Sequence, residues 1–163
     1  MIRWLLPLFA LLLAGCAQRS PLPTQAPDLP LPLQLHIQRL SGQETQDWLL
    51  VIQREGPALR WSLIDPLGIP LSRQLLRDQQ WQNDGLLPPN PEARELFAVL
   101  LFAQTPITQL ASHYPPSRYR THGSTERWLD GRWRIEYTTA RDLLIHGEGI
   151  DYKVSPLSNG GAP

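Results

Sequence analysis

The chain has one cysteine, Cys16, and one lysine, Lys153, among 163 residues. A single thiol excludes an internal disulfide framework. The four histidines, His36, His113, His122 and His146, are scattered without metal-ligand spacing, and no second cysteine can complete a zinc site. No metal and no cofactor is expected. The chain lacks a G-x-S-x-G elbow and a phosphate-binding loop, and Gly147-Glu148-Gly149 is spaced for a hairpin turn rather than a dinucleotide site. Acidic residues stand singly, and Glu136 and Asp142 read as solvated strand residues rather than an acid/base pair. Nothing in this pattern favours catalysis, so the expectation is a non-enzyme. Charge of one sign is also lacking, since 15 Lys and Arg face 15 Asp and Glu. Nucleic-acid binding depends on neutralising phosphates and finds no basic surplus here. Long apolar runs are missing too. Trp4 to Ala14 is uncharged and apolar, but far short of the roughly 20 residues that cross a bilayer as a helix.

What that short run has is the proportions of a secretory signal, with Arg3 before it and small residues after it. Leu13-Ala14-Gly15-Cys16 resembles the bacterial lipobox, in which the cysteine becomes the first residue of the mature protein. The resemblance implies a signal peptide over 1–15, a diacylglycerol thioether on Cys16 and a third acyl chain on its new amino group. One chain binds a membrane marginally, whereas two or more anchor stably. Ala17 follows the cysteine in place of the aspartate of the inner-membrane retention signal, which implies the periplasmic face of the outer membrane. Residues 16–32 are then a lipidated cysteine and tether. Five prolines between Gln18 and Pro32 prevent helix and favour an extended, semi-rigid spacer.

A folded domain is expected over 33–155, with a flexible C-terminus over 156–163. LQLHIQRL alternates Leu33, Leu35 and Ile37 against polar residues, as a half-buried strand does. DWLLVIQ is apolar on both faces and predicts a strand covered from each side. ALRWSLI sets Leu59, Trp61 and Leu63 on one face, and Asp65-Pro66-Leu67-Gly68 reads as a turn. In IPLSRQLLR, Pro70 demands an edge or bulge position. The period then changes. NPEARELFAVLLFAQ opens with Asn90 as N-cap and Pro91 at the first helical position, and its apolar face is too wide for a surface helix. Thr105-Pro106 restarts a short helix. ERWL and RWRIEY, joined by Asp130-Gly131, form the clearest hairpin, and DLLIH and IDYKV are further strands. Strands, helix, then strands predict an α+β domain in which a curved antiparallel sheet wraps an apolar helix.

LRWSLIDPLGIPLSRQL resembles the third and fourth strands of the LolA/LolB family of lipoprotein carriers and receptors. ARELFAVLLFAQTPITQL resembles its helix and proline-initiated short helix, and DGRWRIEYTTARDLLIHGEGIDYKV its closing strands. A still closer resemblance is to a family of small bacterial lipoproteins, domain of unknown function 3261, some of them encoded beside aryl-polyene biosynthesis and export. The resemblance implies a half-barrel whose concave apolar face accepts acyl chains, with Leu67 at the place of a loop leucine that helps deliver cargo to the membrane. Ser112-His113-Tyr114-Pro115-Pro116 replaces the tryptophan-glycine segment expected after the second helix, which implies a specialised relative handling another lipid.

The function expected is that of an outer-membrane-anchored lipoprotein, monomeric, that binds or transfers a lipid or acyl-bearing molecule. Its partners would be the membrane, a lipid or lipoprotein acyl chain, and a periplasmic carrier or exporter protein, with no nucleic acid. The alternative is a scaffold for an exporter or biosynthetic complex that carries no ligand. Expected cavity-lining residues are Trp48, Trp61, Leu63, Leu96, Phe97, Leu100, Leu101, Trp133, Ile135 and Tyr137. Leu67, Leu86 and Leu87 stand in apolar loops expected to touch a bilayer or a partner.

Overall fold

A computed structural model of the protein describes residues 19–139 and 142–157. The leader and Cys16 expected at the N-terminus, and residues 158–163 of the expected C-terminal tail, lie outside the described residues, whereas Pro156 ends the last strand and Leu157 N donates to Gln34 O at 2.8 Å. Ten antiparallel strands form one sheet in the order β5-β4-β3-β2-β1-β10-β9-β8-β7-β6. These are β1 (Leu33–Ser41), β2 (Glu44–Glu55), β3 (Ala58–Ile64), β4 (Pro70–Arg77), β5 (Gln80–Asn83), β6 (Tyr119–His122), β7 (Glu126–Leu129), β8 (Trp133–Tyr137), β9 (Leu143–Gly147) and β10 (Ile150–Pro156). Helix α1 (Pro91–Gln104) separates the two runs of strands, and β10 pairs back onto β1 to join them. This is the α+β arrangement that the pattern of elements predicts.

Local sequence explains each junction. The Asn90 side chain accepts the Ala93 N–H at 3.0 Å, which caps α1. Pro91 starts the helix where no backbone N–H is needed. Asp130 and Gly131 both take positive φ, 54° and 67°, as a tight hairpin link requires. The demand made by Pro70 is met by a register shift between Leu63 and Ile64, where Pro70 pairs with Ile64.

Every residue of α1 from Leu96 to Ala103 is buried. Burying each such apolar side chain contributes about 1.5–3 kcal/mol, so this helix is held by packing on all sides. The sheet curls to provide that cover. Phe97 stacks on Trp61 of β3 at 5.2 Å, Tyr152 of β10 donates to Glu92 at 3.0 Å, and Arg127 of β7 donates to Thr105 O just past the helix at 2.7 Å. Inner-face side chains alternate along the strands: Leu35 and Ile37, then Trp48, Leu50 and Ile52, then Leu59, Trp61 and Leu63.

Three expectations are corrected. β2 is covered on one face only, because Leu49 and Val51 point outward and remain half-buried. The short second helix divides into a 3-10 turn over Ile107–Gln109 and a single α turn, α2 (Leu110–His113). The proline-rich segment does not stand off as a spacer over residues 19–32. It is extended, but it crosses the outer side of α1 as a strap. Thr24 N donates to His113 O at 2.8 Å, and Asp28 N donates to the Gln109 side chain at 3.1 Å. Leu22, Leu29 and Leu31 pack against the core. A proline-rich strand has no internal ladder, so its remaining polar groups and its leucines are free to bind the domain.

Candidate functional site

The antiparallel topology sorts the connections into two ends. β1, β3, β5, β7 and β9 all run toward one end, here the upper end. The turns after Ser41, Ile64, Leu129 and Gly147 gather there, as does the start of α1. Asp84 N donates to Arg73 O and Asn90 Nδ2 donates to Leu71 O, which seats the loop over 84–90 beside the start of β4 at this same end.

A cleft of about 790 Å³ opens at the upper end between the first turn of α1 and the hairpin turns of β7–β8 and β9–β10. Its volume falls in the range of small-molecule sites. Trp128, Trp133, Ile150 and Tyr152 supply its apolar and aromatic wall. Its charges are largely matched in pairs. Arg39 forks onto Glu92, with Nε to Oε1 at 2.6 Å and Nη2 to Oε2 at 3.2 Å, and this raises the guanidinium pKa. Arg132 meets Glu95 at 3.3 Å and Arg134 meets Glu136 at 2.7 Å. Burial, then the neighbouring Glu92, holds the Tyr152 hydroxyl well above the ordinary phenol range, so it stays a donor to that carboxylate.

Among the described residues Trp133 Nε1 and His146 Nε2 of the lining make no hydrogen bond, although His146 Nε2 lies 3.9 Å from Glu136 Oε2. Trp133 is only 8 % exposed. Buried donors are normally satisfied, so the unpaired indole N–H is a cost of packing this ring against the cleft wall. The opposite ring nitrogen of His146 lies 3.1 Å from Asp151, which orients the imidazole. The Trp133 ring lies directly on Gly147: a Cβ at that position would stand 2.3 Å from its Cζ3. This glycine serves close approach, whereas Gly149, with φ of 73°, serves the turn.

The expected cavity-lining residues separate into two groups. Trp133 lines the upper cleft, and Tyr137 lines a second cleft at the lower end. Trp61, Leu63, Leu96, Phe97, Leu100, Leu101 and Ile135 are 0–1 % exposed and belong with Trp48 to one continuous core cluster. Side chains this deeply buried border no space large enough for water, so they fill the interior for one another. Two clefts, of about 790 and 510 Å³, lie at the two ends of the helix. Leu67 is 85 % exposed and Leu86 104 %, while Leu87 is half-buried. Asp65 Oδ1 accepts from Leu67 N at 2.9 Å and Ile69 N at 2.8 Å, and this fixes the tip that projects Leu67. The sequence marks His146 only as a scattered histidine and Gly147 only as a turn residue, and gives Arg39, Glu92 and Tyr152 no site role, because these roles arise from pairing between distant segments. Comparison with models of known protein families and with curated proteins finds no match to this chain.

Proposed function

We propose that this protein is a lipid-anchored, lipid-handling lipoprotein of the LolA/LolB type, held at the periplasmic face of the outer membrane and binding an acyl-bearing molecule in its upper cleft. The observation that carries the reading is the convergence at one end of the 790 Å³ cleft with the exposed apolar tips Leu67, Ile69 and Leu86. The start of the strap supports it. Ser20 is fixed at the same end, its N–H and hydroxyl donating to Glu95 at 3.2 and 2.8 Å. Cys16 precedes Ser20 by four residues, which span at most about 14 Å when fully extended. Acyl chains on Cys16 would therefore bring the upper end, and the cleft mouth, to the bilayer. Leu67 then enters the lipid, and cargo passes between the membrane and the aromatic wall.

The filled interior favours a second reading, an anchored scaffold that binds an exporter or biosynthetic protein and carries no lipid. The two differ at Leu67. Leu67→Glu should leave stability within about 0.5 kcal/mol of wild type, as for a surface substitution without buried contacts. Transfer of a fluorescent phospholipid between vesicles should fall about tenfold or more, since immersing a leucine contributes about 1.5–3 kcal/mol. An unchanged transfer rate removes this loop from the mechanism, and no transfer by the wild type favours the scaffold.

A further inference from the structure

The lower end of the domain holds a second cleft, about 510 Å³, where α1 ends and β1 begins. Leu33, Leu35 and Leu143, with Pro30 of the strap and Pro106 beyond the helix, form the apolar part of its wall, and Gln104, Thr105 and Tyr137 add polar groups. Among the described residues Arg127 is the only charged one of this lining, and it is 8 % exposed. Arginine is almost never buried this deeply without an acid. Among the described residues no carboxylate lies within ion-pair distance of it. Its ring neighbour is Tyr137, 4.9 Å away, whose hydroxyl donates to Ala103 O at 2.7 Å instead.

The guanidinium is half used. Nη1 donates to the carbonyls of Phe102, Ala103 and Thr105 at 3.3, 3.3 and 2.7 Å, gathering the carbonyls at and just past the end of α1. The helix C-terminus supplies only a partial negative charge. Nε and Nη2, the edge with the fork geometry that matches a carboxylate, donate to no acceptor among the described residues. Burial pulls the Arg127 pKa down, and no carboxylate opposes it. A buried cation with one edge open, at the wall of an apolar chamber, is an incomplete ion pair.

We propose that this lower cleft binds the free carboxylate of a fatty acid, with the carboxylate forked on Arg127 Nε and Nη2 and the chain laid along Leu33, Leu35 and Leu143. A single negative charge matches the single guanidinium, and among the described residues the walls offer no second cation for a phosphate dianion. The assignment of the ligand as an acyl chain rests on the lipid-handling reading above; the need for an anion rests on Arg127 alone. Strap residue Pro30 closes part of the chamber, so the segment that leads to Cys16 also builds this site.

The test is a titration of the detergent-solubilised full chain with [1-13C]dodecanoate, followed by the carboxyl resonance. Wild type should show a protein-bound resonance that stays ionised at least one pH unit below the micelle-dissolved acid. Dodecanol should displace it at least about tenfold more weakly than dodecanoate, in keeping with the strength of charged hydrogen bonds. Arg127→Gln, with its fold checked by circular dichroism, should lose the bound resonance, and Arg127→Lys should bind more weakly than wild type. If Arg127→Gln fails to fold, the dodecanol competition on wild type still decides. Equal binding of dodecanol and dodecanoate, or a bound resonance unchanged in folded Arg127→Gln, overturns the carboxylate site while leaving lipid handling in place. Absence of a bound resonance for dodecanoate overturns it as well; if phospholipid transfer persists, the upper-cleft reading survives that failure.

Discussion

Trp61→Ala is expected to cost about 3–5 kcal/mol, the range for removing a large aromatic from a packed core. Trp61 is 0 % exposed, meets Trp81 edge-on at 5.6 Å and stacks on Phe97 at 5.2 Å. It is the joint between the first half of the sheet and the helix. Native domains are stable by only about 5–15 kcal/mol, so the loss is a large share of the total. Trp61→Phe is the informative companion. The indole Nε1 is buried with no partner, so phenylalanine removes volume but also an unsatisfied donor. It should cost clearly less than Trp61→Ala, because it leaves a smaller cavity and removes the unsatisfied donor. Urea unfolding of the three proteins measures both values. Equal losses for Ala and Phe would show that the indole N–H has a partner.

Gly147→Ala should destabilise by about 1–3 kcal/mol, as overpacking does, through a contact that no side chain of Gly147 now makes. The added methyl would overlap the Trp133 six-membered ring, with Cζ3, Cε3 and Cη2 all within 2.9 Å. Both neighbouring strands are fixed by pairing, so the ring must leave its place. Its way out is the cleft it now lines, where it would fill the space a ligand needs. The expected result is a lower melting temperature, by about 4 °C for each kcal/mol, together with a changed near-ultraviolet tryptophan signal and weaker lipid binding. Gly149→Ala is the control: its Cβ would meet nothing within 4 Å, and only the positive φ resists it. Gly149→Ala should lose stability without losing the Trp133 signal.

Much of this fold was legible because its signals are local. Asn90-Pro91 marks a helix start by itself, Asp130-Gly131 marks a hairpin, and Pro70 announces an irregular pairing. β5 and β6 were not legible. QWQN and YRTH are four-residue, mostly exposed strands at the two edges of the sheet, and each is held by one neighbour. Polar composition there reflects solvent and not the lack of a strand. The strap was misread for a similar reason: composition reports that it is extended, while its attachment depends on Glu95, Gln109 and His113, far along the chain.

The site was legible in the same uneven way. Leu67 and Leu86 stand out because leucine at a turn tip is anomalous anywhere, and they are exposed as that anomaly suggests. The tryptophans drew attention as a class, yet only position decides that Trp61 fills the core and Trp133 borders a cleft. Arg127 was invisible. In ERWL the apolar choice for the inner face is Trp128, but β7 turns Arg127 and Leu129 inward. That inversion places a cation at the C-terminal end of the helix, where the carboxylate site is proposed.

Native mass spectrometry of the full chain released gently from detergent separates lipid carriage from scaffolding. A population carrying the mass of one or more non-covalent acyl-bearing molecules beyond any modification of Cys16 is expected, reduced in Gly147→Ala. A chain that carries no such adduct, and instead leaves the membrane in a stable complex with another protein, would contradict lipid carriage.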